Sequence, residues 1–460
     1  MRVLIHTAVL AGALTAVAGT AEAFGPRVIF SEVVSSPTSD APGLPGRKIT
    51  GFDRPFRSAS GNYWILSATI DTGAATTDEI LIVGSGLSSL GSQTVVQEGV
   101  TDIGGGRLID SASIDTQLQI NDQGVFAFTG NLSGATTDDE VIIKGDVNNL
   151  GLFSLIAQEG QSSGIGATTF GAIMANPNVN NAGQFAWRST LTGAATGQTN
   201  ALFITDGTPL AQSGVTQPAG QLLDGTRAWN TFASFEVADN NDWMARGTLT
   251  APTSSDSIAV VNGTVVAQEG APLPGVSPTT PNVLSIVEDR MMPGGDWLLR
   301  GSYAGGQDWL MQNGNLIAQT GDTVPGGLPG ETLSDVPFAA TFFAMVGDDN
   351  GNYVYGSTTS NPDVDRDAVL IYNNAFVVAR QFDPVDLNGD GVFNDDMFIN
   401  VFNNDDMFLS NDGYLFFTAD VVNSSGAALG QAYMVIQVPA PGAAGLLALA
   451  GVAGLRRRRA

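Results

Sequence analysis

The chain has 460 residues, no cysteine and one histidine, and its 45 acidic against 19 basic side chains give a net charge of −26. The absence of cysteine excludes disulfides and thiol chemistry, and the single histidine, His6, lies in the N-terminal segment, so Ser-His-Asp catalysis is excluded from the rest of the chain. The acidic balance disfavours nucleic acid as a partner, because binding it needs lysine and arginine to displace counterions.

The first 23 residues have the pattern of a secretory signal peptide. Arg2 supplies a positive start, residues 8–17 are largely apolar, and Ala21-Glu22-Ala23 gives the small residues that a signal peptidase accepts. A retained membrane helix is disfavoured because the apolar run is shorter than the roughly 20 residues that span a bilayer. We therefore predict export and cleavage after Ala23.

The body of the chain, residues 24–438, is a tandem repeat. Seven short aromatic and aliphatic runs follow turn-forming residues, and their first aromatic side chains lie 54 to 63 residues apart: Tyr63, Phe126, Phe185, Trp243, Trp297, Tyr353 and Tyr414. The first six repeats also contain a later apolar run that ends at polar residues, such as LIAQEG at 155–160. Hairpin turns such as Asn262-Gly263 and Asn313-Gly314 join the runs, which gives about four strands per repeat.

Four strands in about 58 residues correspond to one blade of a β-propeller. The sequence therefore predicts an all-β, seven-bladed propeller with antiparallel strands, and six or eight blades are the alternatives. Residues 27–34 form an isolated predicted strand before the first repeat. We predict that this strand pairs with the last blade, including residues 431–438, and closes the ring.

The start of each repeat resembles the N-x-x-G-type repeats of exported bacterial surface proteins. The pattern is clear at Asn121-Asp122-Gln123-Gly124 and at Asn180-Asn181-Ala182-Gly183. In other repeats it is looser, and we interpret Asn241 and Asp412 as replacements of the glycine. The resemblance implies a propeller-like exported domain and brings no catalytic residues.

Aromatic and acidic side chains are the candidate ligand contacts outside the turns. Trp187, Trp243 and Trp297 lie in the apolar run of a repeat and are predicted to pack between blades, whereas Trp229 and Trp309 fall outside that register and are the candidate sugar contacts. Glutamates at equivalent repeat positions indicate a structural role at strand ends, because a catalytic pair is needed only once: Glu98, Glu159 and Glu269. We therefore predict that the protein is not an enzyme.

One loop in the sixth repeat has the spacing of a calcium site. Asp386, Asn388 and Asp390 place oxygen ligands at alternate positions before Gly391, and the twelfth position is Met397 rather than the glutamate of an EF-hand. A nine-position loop fits better and resembles the calcium hairpins of integrin-type propellers. Its predicted ligands are Asp386, Asn388, Asp390, the carbonyl of Val392, and Asn394. The alternative is an Asn/Asp/Gly turn that binds no metal.

The C-terminal residues 439–460 have three parts: a proline motif, the apolar run 443–455, which is too short for a permanent span as a helix, and four arginines. This order resembles the PEP-CTERM sorting signal. The matching residues are Pro439, Pro441, Gly442, Arg456, Arg457, Arg458 and Arg459. The resemblance implies transient inner-membrane association, processing by an exosortase-type enzyme, and delivery to the cell surface or extracellular matrix.

Together these features predict an exported, non-catalytic interaction protein that binds exopolysaccharide or another surface protein, with Ca²⁺ as a candidate cofactor. A purely structural matrix protein and a carboxylate-dependent glycan-cleaving enzyme are the alternatives.

Overall fold

The computed structural model describes residues 25–53, 55–110, 118–205, 207–223, 225–276, 281–334 and 340–438. These residues form seven antiparallel sheets arranged as the blades of a β-propeller, and a 3-10 turn at Pro37–Ser39 is the one helical element within the described ranges. The predicted fold class and blade number are therefore confirmed. The predicted signal peptide and the sorting segment, residues 1–23 and 439–460, lie outside the described residues.

Each blade has its first strand next to the ring axis and its last strand at the rim. Blade 1 contains β2 (Ile49–Phe52), β3 (Phe56–Arg57), β4 (Tyr63–Ile70), β5 (Glu79–Ser85) and β6 (Gln93–Gln97). Blade 2 contains β7 (Ile109–Asp110), β8 (Leu118–Ile120), β9 (Val125–Leu132), β10 (Glu140–Asp146) and β11 (Ser154–Gln158). Blade 3 contains β12 (Thr169–Val179), β13 (Phe185–Thr192), β14 (Asn200–Ile204) and β15 (Thr208–Gln212).

The remaining blades have four strands each. Blade 4 contains β16 (Trp229–Val237), β17 (Trp243–Leu249), β18 (Ser257–Val261) and β19 (Thr264–Gln268). Blade 5 contains β20 (Val283–Met291), β21 (Trp297–Tyr303), β22 (Asp308–Gln312) and β23 (Asn315–Gln319). Blade 6 contains β24 (Phe342–Gly347), β25 (Tyr353–Thr358), β26 (Ala368–Tyr372) and β27 (Phe376–Arg380). Blade 7 contains β28 (Phe398–Leu409), β29 (Tyr414–Val422), β30 (Ala428–Gln437) and β1 (Arg27–Ser31).

The hydrophobic core lies between the blades. Its buried side chains divide into seven clusters, and each cluster combines residues of two neighbouring blades. This explains why the third strands are apolar on both faces, as in Ile80, Leu81 and Ile82 of β5, which have no exposed side-chain surface. A blade alone would leave both faces in water, so the ring is the unit that buries them.

The ring is closed by the N-terminal strand. β1 pairs antiparallel with β30, with Arg27 opposite Val435 and Ser31 opposite Ala432. Phe30 is 1% exposed, and its ring meets that of Trp64 in blade 1 at a centroid distance of 5.8 Å. The predicted latch is thus confirmed, since the first described strand of the chain completes the last blade.

The turns that follow the first strands form a hydrogen-bonded belt around the axis. In the motif N-x-x-G, the backbone N–H of the second residue donates to the next blade: Asp122 to Oδ1 of Asn181 (2.8 Å), and Asn181 to Oδ1 of Asp239 (2.5 Å). Where the side chain of the second residue has no acceptor atom, its backbone carbonyl accepts instead. For example, the N–H of Asp239 donates to the Pro293 carbonyl (2.7 Å). The belt continues through Gly294 to Asp349, Asp349 to Asn411, Asn411 to Ala59 and Ser60 to Asp122.

The first and fourth residues of the motif shape the turn itself. Asn121 Oδ1 accepts from the backbone N–H groups of Gln123 (3.1 Å) and Val125 (2.9 Å). The fourth residue has a positive φ, which favours glycine, and Asn241 takes this conformation with φ of 69°. The interpretation of Asp412 was wrong, because Gly413 (φ 83°) occupies the fourth position in blade 7.

No helix within the described ranges is long and apolar enough to cross a membrane.

Candidate functional site

A channel along the ring axis is lined by the first strands of the blades and contains two adjoining chambers. The upper chamber lies at the belt of turns, encloses about 110 Å³ and has a partly apolar wall that includes Val237, Met291 and Phe408. The lower chamber lies on the side of blades 2 to 5 and encloses about 240 Å³. Five residues line both chambers and form the partition between them: Phe56, Gln119, Asn178, Glu236 and Arg290.

The lower chamber contains an ion-pair network. Arg290 Nη2 lies 2.8 Å from Glu288 Oε1, and Arg300 Nε lies 2.6 Å from Glu288 Oε2. Arg290 Nη1 also lies 3.5 Å from Glu236 Oε1, while Glu236 Oε2 accepts from the backbone N–H of Met291 at 2.6 Å. Glu288 is 8% exposed, so its charge depends on these two guanidinium groups.

A second pair continues the network into blade 4. Arg246 Nε lies 3.1 Å from Asp289 Oδ1, and the hydroxyl of Ser234 donates to the same carboxylate. Asp289 is 2% exposed. With this pair included, three arginines and three carboxylates face one another in the lower chamber, and their formal charges cancel.

Two backbone features bring these side chains together. The first strands of blades 4 and 5 have register shifts between Phe232 and Ser234 and between Ile286 and Glu288, so neighbouring side chains turn toward the channel. The arginines of the second strands occupy equivalent positions in blades 3, 4 and 5. Each donates to a first-strand carbonyl of the next blade: Arg188 to Phe232, Arg246 to Ile286 and Arg300 to Phe342.

The amide side chains complete the polar lining. Asn178 has a buried Oδ1 that no described donor contacts, and Gln119 is half-buried beside it on the partition. Phe56 contributes an aromatic side chain to the same wall. The lining therefore combines a fixed set of donors and acceptors with the ring of Phe56, which is a surface suited to hydroxyl groups and a sugar face.

The sequence contained a signal for this site. Val-Glu-Asp-Arg-Met at 287–291 places three charged residues in succession within an apolar strand, in a chain with only 14% charged residues. Glu236 occupies a similar position in blade 4. Charges in a strand that faces a propeller axis have to be paired or bound to a ligand, because they are removed from bulk water.

The prediction that Trp229 and Trp309 are sugar contacts is wrong. Their side chains are 1% and 0% exposed, because both belong to the clusters between blades. Trp229 packs against Phe232 with ring centroids 4.9 Å apart, and Trp309 packs against Tyr303 at 6.2 Å. Trp187 and Trp297, predicted to be core residues, are buried as expected, and Trp243 is half-buried.

The candidate calcium loop connects blades 6 and 7 as a tight turn held by its own side chains. Asp386 is 2% exposed, and its two carboxylate oxygens accept from the N–H groups of Gly389 (2.7 Å) and Gly391 (2.9 Å). Asn388 Oδ1 accepts from Asp390 N–H at 2.9 Å. The loop also joins the closing strand, since Val28 N–H donates to the Asp386 carbonyl and Asp386 N–H to that of Pro26.

The end of this loop differs from the predicted ligand set. Asp395 reaches back to the start of the loop, where its Oδ2 accepts from Leu387 N–H (2.7 Å) and its Oδ1 from Asn388 Nδ2 (2.9 Å). Asn394 is exposed, and the side chain of Val392 is 50% exposed. The residue types still match the hard-ligand preference of Ca²⁺, although oxygens of Asp386 and Asp395 accept hydrogen bonds from N–H groups of the loop itself. Across the described ranges, no group of three or more Asp, Glu, His or Cys side chains is arranged to hold a metal ion.

The recurring glutamates lie where the outer strand of a blade ends. Glu98, Glu159 and Glu269 donate their backbone N–H groups to carbonyls at the start of the third strand or just before it. Burial raises the pKa of Glu159 and of Glu269, and the neighbouring carboxyls of Asp139 and Asp256 raise them further. Their repetition at the rim, away from the channel, fits the structural role that was predicted.

Comparisons with known proteins leave the biochemical role open. The model of a family of unknown function, DUF7453, matches residues 82–288, from the third strand of blade 1 to the first strand of blade 5. A search of curated protein sequences finds no match. Among solved structures, the Dos1 propeller is similar with a TM-score of 0.39 and 10% identity, over 89% of this chain and 95% of that one.

Two further structures show a comparable likeness. An α-L-arabinanase of Penicillium chrysogenum gives a TM-score of 0.34 and 11% identity over 90% of this chain and 97% of that one. A sialidase of Trypanosoma rangeli gives a TM-score of 0.33 and 11% identity over 94% of this chain and 62% of that one. Likeness at this distance carries no information on activity or ligand.

Proposed function

We propose that the protein is an exported, non-catalytic module of the cell surface or extracellular matrix that binds a saccharide in its central channel. The observation that carries the proposal is the lower chamber, where Gln119 and Asn178 stand beside Phe56 and a network of paired charges. A sugar presents hydroxyl groups that both donate and accept, together with an apolar face, and this lining offers partners for each.

The pairing of the carboxylates favours binding over catalysis. A glycosidase needs one carboxyl group that can give up a proton to the leaving group and a second carboxylate that stays ionised. Here both carboxylates are engaged by side chains of the protein: Glu288 lies between two guanidinium groups, and Asp289 contacts Arg246 and Ser234. Neither carboxyl is therefore arranged as a proton donor.

A glycan array combined with a product assay tests this function. We expect binding to at least one saccharide, no release of cleaved product, and at least tenfold weaker binding in Asn178→Ala. The control is Gln161→Ala, which removes an exposed amide at the rim of blade 2 and leaves the channel intact. Product release would establish the enzyme alternative, and an array without signal would favour the structural matrix protein.

We propose the export and sorting steps on sequence grounds. The signal-like residues 1–23 and the tripartite residues 439–460 support passage through the inner membrane and processing by an exosortase-type enzyme. Mass spectrometry of the secreted protein tests both steps. We expect a mature form that begins at Phe24 and lacks Arg456 to Arg459, and an intact arginine cluster on that form would contradict the processing.

We propose Ca²⁺ as a structural ligand of the loop at residues 386–395. Asp386, Asn388, Asp390 and Asp395 supply the oxygens, and the backbone of Asp386 pairs with the closing strand, so bound metal would stabilise the closed ring. We expect calcium to raise the melting temperature of the wild type but not of Asp390→Ala. Asp363→Ala, in an exposed turn of blade 6, is the matched control. Equal melting temperatures of the wild type in calcium and in chelator would refute the proposal.

A further inference from the structure

We infer that the channel recognises the terminal residue of an uncharged glycan and takes it end-on. This inference rests on the proposed saccharide-binding function and specifies its ligand class. It follows from three features: the pairing of the channel's charges, the size of its chambers, and the acidic charge around it.

The first feature is that the arginines of the lower chamber are already paired. Arg246, Arg290 and Arg300 each have a carboxylate oxygen within 3.1 Å. A sugar carboxylate entering this chamber would have to displace Asp289 or Glu288, and the displaced carboxylate would remain buried without its partner. The free energy of that exchange is unfavourable, because both carboxylates are at least nine-tenths buried.

Arg57 does not provide an alternative cation. It lines the upper chamber and is 2% exposed, but its guanidinium carbon lies 3.6 Å from the ring centroid of Phe416 in blade 7. It also donates to the carbonyl oxygens of Gly61 and, at 2.9 Å, Gly86. Its charge is therefore directed into the interface between blades 7 and 1.

A cationic amino sugar is disfavoured by the same pairing. The carboxylates of the lower chamber are held by arginines, so an added ammonium group would find no unshared counter-charge there. The uncharged polar side chains of the partition are the amides of Gln119 and Asn178. The buried Oδ1 of Asn178 can accept a hydrogen bond from a hydroxyl group. The polar groups that remain are thus those that suit a neutral polyol.

The size of the chamber limits the ligand to one sugar residue. At about 240 Å³ the lower chamber is smaller than the roughly 300–1,000 Å³ of pockets that enclose drug-sized molecules. Arg290 and Glu236, 3.5 Å apart, lie where it adjoins the upper chamber, which is smaller still at about 110 Å³. We therefore expect a chain end to enter the channel and not a chain that threads through both chambers.

Acidic side chains near the upper chamber, together with the net charge of the chain, act against polyanions. The belt carries the carboxylates of Asp122, Asp239 and Asp349, and the whole chain has a net charge of −26. Like charges lower the local concentration of an acidic glycan before it reaches the channel. The acidic charge of the protein and the paired arginines of the lower chamber thus both disfavour an acidic glycan.

Isothermal titration with matched probes tests the inference. We use neutral gluco-, galacto- and manno-oligosaccharides of two to eight residues, the corresponding oligouronates, and oligosaccharides of glucosamine. We expect one site per protein for a neutral series, with an affinity per chain that stays within about twofold as the chain lengthens. Gln119→Ala combined with Asn178→Ala should weaken this binding at least tenfold, whereas Gln161→Ala leaves it unchanged.

Three other results would each overturn a different part of the proposal. Tighter binding of an oligouronate or a glucosamine oligomer overturns the uncharged ligand but leaves the saccharide function standing. Affinity that rises in proportion to chain length overturns end-on recognition, because it shows contacts with internal residues. The absence of binding to all three series overturns the proposed function itself.

Discussion

At the scale of single residues, the second position of each N-x-x-G turn decides how neighbouring blades are joined. Asn181 accepts from Asp122 and donates to Asp239, so one side chain and its own N–H connect three blades. Ala59 and Pro293 lack such a side chain, and their carbonyls take its place. The belt therefore tolerates variation at this position.

The glycines of the motif provide a matched test of packing against backbone strain. Gly124 and Gly183 have nearly the same φ, 81° and 78°, but a methyl group at Gly124 would lie 2.3 Å from Val147 Cγ2, while the space at Gly183 is open. We expect Gly183→Ala to cost about 1 kcal/mol through strain alone, and Gly124→Ala to cost about 2–4 kcal/mol. Chemical denaturation measures both, and equal losses would contradict this account.

Removing an arginine of the channel should lower the free energy of unfolding far more than removing a basic residue of the surface. Arg300→Met would leave the carboxylate of Glu288, which is 8% exposed, with one of its two partners removed, at a cost of about 3–5 kcal/mol. Lys48→Met removes an ion pair whose aspartate, Asp40, is 61% exposed, and should cost less than about 1 kcal/mol. Urea melts of the two variants give the comparison, and a loss below 1 kcal/mol in Arg300→Met would show that the network is not needed for stability.

At the scale of strands, the outer edge of every blade carries the same irregularity. The pairing of the third and fourth strands shifts register once in each of blades 1 to 6, for example between Leu81 and Ile82, and β1 shifts against β30 between Val28 and Phe30. A bulge twists an edge strand and interrupts its row of unpaired groups. The rim is thereby less able to pair with another chain.

The closing strand is the element on which the ring depends. Phe30 is 1% exposed between blades 7 and 1, so Phe30→Ala should cost about 3–5 kcal/mol, whereas Val34→Ala, at a side chain that is 63% exposed, should be nearly neutral. Thermal melts monitored by circular dichroism would show the difference. An unchanged melt in Phe30→Ala, or in a form without residues 24–35, would mean that the ring closes without this strand.

At the scale of the whole molecule, raised carboxyl pKa values should make the protein most stable in mild acid. Burial raises the pKa of Glu159, Glu269, Asp308 and Asp383 above their ordinary values, so their contribution to stability is present at low pH and is lost as the pH rises through the folded-state pKa. Glu331 opposes this: its burial alone would raise its pKa, but bonds from Arg380 and Thr359 lower it overall, so its contribution is lost in stronger acid.

The melting temperature should therefore be higher near pH 4.5, the ordinary pKa of a glutamate, than at pH 8, and relief of the net negative charge acts in the same direction. Glu159→Gln combined with Glu269→Gln should reduce the difference, because these two groups would no longer titrate. A melting temperature that rises steadily from pH 4.5 to pH 8 would contradict the direction of the pKa shifts.

The fold was predictable because the chain repeats with a nearly constant period, while the geometry of the site was not, although charged residues in an apolar strand were a signal for it. Recurring aromatic runs and Asn-Gly turns determined seven blades, and the unpaired strand at residues 27–34 indicated the closure. The channel depends on which residues of the first strands face the axis, and the register shifts at Ser234 and Glu288 change that alternation locally. For the same reason Trp229 and Trp309 were mistaken for surface contacts, since no local pattern shows that they fill the space between blades.

A crystal structure of the secreted protein grown with a neutral oligosaccharide tests the central claim most directly. We expect density for one terminal sugar residue in the lower chamber, in contact with Asn178 and beside Phe56, with the rest of the glycan leading out of the channel. A sugar bound only at the rim or on the turns, with solvent alone in the lower chamber, would contradict it.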